Sequence, residues 1–401
     1  MRVSRVIGLL LVVLLVAACV PVPTPSPAEF AYEDEWGVVV VKKGDPIRIG
    51  FGAALSGAGL DILGIDEQRG AELALEDKGE VPGFSLSLVS EDDLCSAEGG
   101  VTVANKFVSD PSIVAVIGNM CSSGSLAAMD IYGEHHYTMV SPSSTAVVLT
   151  TRGSEIFNRV CWSDKIQGPA AAQFLREEVG LEKVAVIHDG SPYGEGLVNA
   201  MAEAFEELGG TVVAREAVNV GDTDMRPLLE RIKAAGPEGI YFGGFVAEGA
   251  YLASQRVDVG MEDVVFMGAD GILATDFIKS AGSAAEGVYA SAANPAEAGP
   301  GMDEFLRAYE AAYGEKPPAP FHAHTYDAAM VIMNAIEQVG QIDPEGNLHI
   351  GRKALAETVR ATKDYQGLTG VIDCDEYGDC GTGSVAVSVV EGGEFQLVWP
   401  K

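Results

Sequence analysis

The chain reads as an α/β protein made of two similar lobes, each a parallel sheet with helices on both faces. Three observations predict this. From about Ile47 onward, strand-like apolar runs alternate with segments of helical spacing. The alternation restarts near Lys165 over a stretch of similar size. The chain then ends in helices and a hairpin rather than in a third cycle.

The elements follow in order. "IRIGFGAAL" (47–55) is a strand, and "DEQRGAELALEDKG" (66–79) has helical spacing at Ala71, Leu73, Ala74 and Leu75, with Gly79 as its stop. "FSLSLVSEDD" alternates as a strand, "AEGGVTVANKFVSD" reads as a helix, "IVAVIG" as a buried strand, "SLAAMDIYGEHH" as a helix and "TMVSP" as a strand. The second cycle opens with the strand "KVAVIHD" and the helix "YGEGLVNAMAEAFEELG". It continues with strand "TVVAREAV", helix "MRPLLERIKAAG", strand "GIYFGGF", helix "EGAYLASQRVDVG" and strand "VVFMGADG". Two further helices are expected over 318–340 and 354–367, and 383–399 is a closing hairpin. Two lobes of this kind leave a cleft at the carboxyl ends of their strands, where such sheets bind ligands.

Composition and the first residues bound the setting. With 47% hydrophobic and 21% charged residues, the chain can bury sizeable cores. A net charge of −32 argues against nucleic acid or anionic lipid as a partner drawn in by the general field. "MRVSR" followed by "VIGLLLVVLLVAAC" is basic, then apolar, and shorter than the roughly 20 residues of a membrane span. It reads as a secretory signal over 1–19. The ending "LVAAC" resembles a bacterial lipobox, which implies cleavage before Cys19 and lipidation of that thiol. The Pro-rich "VPVPTPSPAEF" then serves as a tether. The folded part is expected outside the cytoplasm, held to the membrane by lipid alone. Six cysteines are present; setting Cys19 aside leaves Cys95, Cys121, Cys161, Cys374 and Cys380, so at least one is unpaired. "DCDEYGDC" sets Cys374 and Cys380 across a tight turn, as a local disulfide. A zinc site would need a second Cys/His pair at ligand spacing, and none is there.

Enzyme signatures fail in turn. "GFGAALSG" has Gly50 and Gly52 after a strand, but Leu55 stands where a dinucleotide fingerprint needs its third glycine. No nucleophile elbow, zinc-protease pair or Walker loop occurs. His135 and His136 are adjacent and point apart on a helix; His322 and His324 read as ordinary loop or helix-start residues; His188 and Asp189 read as a strand cap rather than a base and its orienter.

Two serine clusters carry more information. In "GNMCSSGS" (118–125), Ser122 and Ser123 sit where a strand ends and a helix begins. Free backbone N–H groups there suit a carboxylate, while simple N-capping is the equal alternative. "SPSSTA" (141–146) repeats the chemistry one strand later with Ser143, Ser144 and Thr145, which favours the carboxylate. Facing these from the second lobe are Tyr193 in "SPYGEG", Phe245 in "GGF" and Asp270 in "GADG". A donor-rich wall opposite an isolated carboxylate suits a zwitterion.

"DDLC", "VANKFVSD", "VIGNMCSSGS", "DIYGE", "SPSSTA", "LTTRG", "HDGSPYGEG" and "FMGADG" together resemble, in order and spacing, the leucine/isoleucine/valine-binding proteins, the extracytoplasmic solute receptors of ATP-driven importers. The resemblance implies a type I periplasmic-binding fold, with two Rossmann-like lobes joined by three crossovers that close on ligand like a hinge. It divides the chain into a signal (1–19), a tether and N-terminal extension (20–45), lobe 1 (46–163 plus 294–382) and lobe 2 (164–293 plus 383–401). It implies that Ser122, Ser143, Ser144 and Thr145 hold an α-carboxylate, with Thr145 also reaching the ammonium and Asp270 as the ammonium's acidic partner. Tyr193 and Phe245 would close the pocket, and Leu63, Met120 and Phe321 would line its side-chain end. Cys95 and Cys121 match a family disulfide, which leaves Cys161 free. The implied partners are an amino acid, a permease and an ATPase, with no cofactor, no metal, no enzymatic role and a monomeric state. The chain departs from the pattern in having Asp270 for glutamate, Phe245 for tyrosine, Ser143 and Ser144 for two alanines, and Leu63 for an aromatic. The apolar Leu63, Met120 and Phe321 favour an aliphatic side chain. Relatives that take amides, urea or aromatic acids, a sensor built on the same module, and a small-amide hydrolase are the alternatives.

Overall fold

The computed structural model of the protein describes residues 30–57, 59–381 and 383–400. The expected signal, Cys19 and the first part of the tether lie outside the described residues. Apolar and β-branched runs form two sheets. The first has six strands in the order Glu80–Val81, Phe84–Asp92, Ile47–Ala53, Ile113–Gly118, Met139–Ser141, Phe157–Arg159, parallel except for its short first strand. The second has seven strands, in the order Glu394–Trp399, Val385–Glu391, Tyr289–Ala293, Val265–Gly268, Gly239–Gly243, Lys183–His188, Thr211–Ala217. Its five central and far strands are parallel, and the closing hairpin adds two antiparallel ones. The central strands are fully buried, as helix-covered parallel sheets require. Both lobes belong to one compact unit, Tyr32–Lys401.

The chain passes between the lobes three times. It leaves the first sheet after Phe157–Arg159 and enters the helix Asp164–Gln173; it returns after Tyr289–Ala293 to the helices Met302–Tyr313 and His322–Val339; it crosses again before Val385. The helix His322–Val339 packs along Asp61–Lys78 on the first sheet. The long expected strands and helices of both cycles are present, within a few residues of their expected ends.

Several elements differ from the sequence reading. The helix expected over 354–367 covers only Arg352–Arg360; Tyr365–Gly367 instead pairs with Gly370–Ile372 as a small hairpin. The buried Asp327 carboxylate draws the chain out of the helix by accepting from the backbone N–H groups of Leu368 and Thr369, both at 2.8 Å. Within the N-terminal extension, Val38–Val41 is a strand, antiparallel to Leu348–Gly351. Asp34 beside it accepts from the first N–H groups of the helix at Lys353 and Ala354. The strands Phe157–Arg159 and Tyr289–Ala293 and the helices Asp164–Gln173 and Met302–Tyr313 were not anticipated.

Cysteine pairing follows the expectation. Cys95–Cys121 and Cys374–Cys380 are disulfides, and Cys161 is a buried free thiol. Burial raises the Cys161 pKa strongly, with the Arg159 charge only partly opposing it. Cys161 should therefore resist alkylation in the native protein near neutral pH and take up reagent only on unfolding; rapid labelling of Cys161 in the native form, read by peptide mapping, would show a reactive thiol instead.

Candidate ligand-binding site between the lobes

The helix Asp61–Lys78 brings its side chains to the cleft because Gly64 lets it lie against the strand end: a Cβ on Gly64 would sit 1.8 Å from the carbonyl oxygen of Ala54. Leu63 and Glu67, one turn apart, then face the same cavity. On the same helix Asp66 accepts from the N–H groups of Phe321 (3.2 Å) and His322 (2.9 Å), which holds Phe321 at the cavity edge. Trp162 stacks on Phe321 at 5.4 Å.

The first serine cluster opens a helix. Ser122–His135 has Cys121 as N-cap, with no side-chain cap. Ser122 does not turn onto its own helix; its hydroxyl accepts from the N–H of Ala146 at 3.2 Å. The first N–H groups of this 14-residue helix therefore have no intrahelical partner and carry the positive end of its dipole. The disulfide pins this corner, and Asp93 supports it by accepting from Cys95 N–H (2.9 Å) and Asn119 Nδ2 (2.8 Å).

The second cluster is mainly a scaffold. The hydroxyls of Ser141, Ser144 and the first cluster's Ser125 gather within hydrogen-bond distance of the Asn119 carbonyl, at 2.7, 3.0 and 3.1 Å, and the Ser125 and Ser144 hydroxyls bond each other at 2.8 Å. Ser143 donates to the Met120 carbonyl at 2.9 Å. Buried Arg159 holds the loop from behind, donating to the carbonyls of Ser144 (3.1 Å) and Ala146 (2.9 Å) and pairing with Asp379. Ser143 lines the cavity; Ser144 and Thr145 do not. Thr145 lies buried near the Asp164 carboxyl, close enough to favour its charged form but outside hydrogen-bond geometry.

From the second lobe, Asp270 is buried at the end of Val265–Gly268. Its Oδ1 accepts from Gln167 Nε2 (2.7 Å) and Tyr193 Oη (3.0 Å); Oδ2 takes neither bond. Gln167 is held in turn, accepting from Trp162 Nε1 at 2.7 Å and donating to Ser291 Oγ at 3.1 Å. Tyr193 packs against Phe245 at 5.3 Å and accepts from Gly271 N–H at 3.3 Å. Gly271 has no room for a side chain: a Cβ would meet the Gly244 carbonyl oxygen at 2.4 Å. Burial pushes the Asp270 pKa up to about 6, with the Gln167 and Tyr193 bonds pulling it back. Burial and the neighbouring Asp270 charge push Asp164 up to about 7.

One cavity thus brings together Leu63, Met120, Ser122, Ser143, Tyr193, Phe245, Asp270 and Phe321, with Glu67 and Gly271 beside them. The strand-cap reading of His188 and Asp189 also holds: Asp189 accepts from the N–H and hydroxyl of Ser191, and His188 Nδ1 accepts from Gly190 N–H. Among the described residues no His, Cys, Asp and Glu group has the arrangement of a metal site. The sequence reading missed Glu67, Asp164, Arg159 and Gln167. Only Glu67 carried a signal, since it falls one turn after Leu63; the others depend on contacts with segments distant in the chain.

The family model described as periplasmic binding protein matches residues 46–394. The chain belongs to the periplasmic binding protein family. Among curated relatives, the leucine-, isoleucine-, valine-, threonine-, and alanine-binding protein of Pseudomonas aeruginosa is 34% identical over 338 residues, covering 84% of this chain and 87% of that one. Among solved structures, the leucine binding protein LivK of Thermotoga maritima superposes with a TM-score of 0.81 at 30% identity, covering 88% of this chain and 97% of that one. LivJ of Streptococcus pneumoniae, a branched-chain amino acid transporter substrate binding protein in complex with isoleucine, gives 0.78 at 25% identity, covering 89% and 100%. The expected fold and the expectation of a binding protein rather than an enzyme therefore hold, and the protein is an extracytoplasmic binding protein of the branched-chain amino acid group.

Proposed function

We propose that this periplasmic binding protein captures branched-chain and other short aliphatic α-amino acids and hands them to the permease and ATPase of an ABC importer. The observation that carries the reading is a buried carboxylate, Asp270, facing one cavity with an uncapped helix start at Ser122. The ligand carboxylate goes to the Ser122 hydroxyl and the first N–H groups of its helix, with Ser143 alongside. The ammonium goes to Asp270, which Gln167 and Tyr193 hold in place. Ser144 acts by shaping the loop, and Thr145 reaches the ligand as the lobes adjust around it. Leu63, Met120, Phe245 and Phe321 supply the apolar end. Since the two charged ends are held by different lobes, only a closed form satisfies both. The lobe assignments given above, and a lipid anchor at Cys19 followed by a tether, belong to the same reading; "LVAAC" supports the anchor.

Calorimetric titration of the twenty amino acids tests it directly. Leucine, isoleucine, valine and alanine should bind, and acetylated or deaminated analogues should not; tight binding of an analogue without an ammonium would reject the reading. A pH series sharpens this. As pH falls, Asp164 takes the first proton near 7, and Asp270 the next near 6. A ligand ammonium needs Asp270 ionised. Affinity should be level between pH 7 and 8 and should fall about tenfold per unit once pH drops below that of Asp270. The ligand-free fold responds with the opposite sign. Both carboxyls are raised above their unfolded values, so the stability they contribute is present in acid and is lost as pH rises through about 6 and about 7.

A further inference from the structure

A second cavity, of about 660 Å³, lies beside the second and third passages between the lobes and shares no lining residue with the cavity that holds Asp270. Ala293, Asn294 and Pro295 edge it where the chain leaves the strand Tyr289–Ala293, and Ala386 and Ser388 edge it on the strand after the third passage. Met302, Leu306 and the helix start at His322–His324 come from the first lobe, Leu273 and Phe395 from the second. The wall is therefore mostly apolar and built from both lobes. Its one carboxylate, Asp303, is exposed.

One polar group in this wall has no task. His324 is 5% exposed, and its Nδ1 is buried with no hydrogen-bond partner among the described residues. The other polar side chains nearby are occupied: Asn294 accepts from Ala296 N–H and donates to Ser384 Oγ, and Thr369 donates to Asp327. The Pro320 carbonyl is near the ring but outside hydrogen-bond geometry. Of the buried side-chain atoms without partners, His324 Nδ1 alone belongs to this cavity. Burial, with His322 adding to it, pushes the His324 pKa down to about 3, so the ring is neutral. A partnerless buried nitrogen is costly. A hydroxyl, which both donates and accepts, meets either tautomer of the ring. A charged group gains little from a neutral imidazole in an apolar wall.

The His324 ring also forms part of the partition between the two cavities. It packs edge-on against Trp162 (5.4 Å) and Phe321 (5.5 Å), and Phe321 lines the cavity that holds Asp270. The second cavity is present while Ser122, Ser143 and Asp270 are each at most 9% exposed, with the lobes closed over them. An occupant that touches both lobes here favours that arrangement.

We propose that this cavity is a second binding site, for a small neutral molecule with an apolar body and one hydroxyl that bonds His324, and that its occupation favours closed lobes and so tightens amino-acid binding in the cleft. The last clause rests on the amino-acid reading; the site itself does not.

Benzyl alcohol and ethylbenzene, similar in shape with and without the hydroxyl, are the probes, titrated by ligand-observed NMR into wild type, His324→Phe and Ala298→Trp. Both should saturate one site in the wild type. His324→Phe should shift the ratio of the two affinities at least about fivefold toward ethylbenzene, and should melt no lower than wild type, since it removes a partnerless buried nitrogen. Ala298 is exposed and lines the cavity, so Ala298→Trp should fold, fill the space and weaken both probes at least about tenfold. No saturable binding of benzyl alcohol to the wild type, an unchanged ratio in His324→Phe, or binding that survives Ala298→Trp would overturn the proposal. If His324→Phe does not fold, Ala298→Trp decides. Leucine-loaded protein should take benzyl alcohol at least about threefold more tightly than free protein, and benzyl alcohol should tighten leucine by the same factor. Equal affinities in the two forms would overturn the coupling. Failure of leucine to bind at all would instead overturn the amino-acid reading, and the probe titrations would still judge the second site.

Discussion

Replacing Asp270 with asparagine is expected to weaken amino-acid binding by about 2–5 kcal/mol, the usual loss when a buried charge is left without its partner. Asp270 is buried, and Gln167 and Tyr193 both bond its Oδ1. An ammonium leaving water for this cavity needs a full negative charge, and an amide supplies only a dipole. The fold should tolerate the change. Asparagine keeps the shape, its carbonyl oxygen can accept from Gln167 and Tyr193, and the cost of burying a carboxylate disappears. The variant should therefore melt at or above the wild type without ligand, and its pH dependence of affinity below pH 7 should flatten. If Asp270 only capped the turn that follows Val265–Gly268, the amide would serve as well. Calorimetry with the best amino acid separates the two cases, because each 1.4 kcal/mol is about tenfold in affinity. A mutant within about threefold of wild type would remove the ammonium from the reading.

Removing the Cys95–Cys121 disulfide, as Cys95→Ala with Cys121→Ala, is expected to lower the free energy of unfolding by about 3 kcal/mol and to weaken ligand binding as well. The two effects have different causes. The bridge closes a loop with a sequence separation of 26, so its loss frees the unfolded chain. The same bridge fixes the residue before Ser122, where the helix N–H groups start, so its loss also loosens the wall that takes the ligand carboxylate. Cys374–Cys380 makes an internal comparison. Its separation is 6, and it lies away from the cavity. Its removal should cost about 2 kcal/mol and leave the affinity within a few-fold of wild type. Urea unfolding of the two variants, followed by titration at a temperature where both are folded, gives both numbers. Equal losses of affinity in the two would mean that binding responds to global stability and not to the Cys121 corner.

Much of the fold was legible in one dimension because local pattern and burial agree there. Ile113–Gly118 and Gly239–Gly243 read as continuous apolar runs, and such runs have nowhere to go but the middle of a covered parallel sheet. The small polar clusters at the strand ends marked the rim of the cleft for the same reason. Turns in this topology must be at the strand ends, and the carboxyl ends of the strands from both lobes meet at the cleft. Where a tertiary partner outweighs local propensity, the pattern misled. The stretch after Arg360 is helical by composition, but Asp327, far along the chain, takes the backbone N–H groups of Leu368 and Thr369 and ends the helix early.

The site divides the same way. Residue type and order were enough to nominate Ser122, Tyr193 and Asp270 as groups for the two ends of a zwitterion, since few side chains can do those jobs. Only the folded chain could decide that the Ser144 hydroxyl is turned into the loop, because that depends on the Asn119 and Met120 carbonyls, which belong to the neighbouring strand end. Only the folded chain could bring Gln167 to Asp270, 103 residues further along, or leave Glu67 buried with no hydrogen-bond partner among the described residues. Hydrogen bonds between segments a hundred residues apart leave no periodicity in the sequence, whereas burial of a strand does. A buried carboxyl without a partner is visible only once every possible partner around it has been placed.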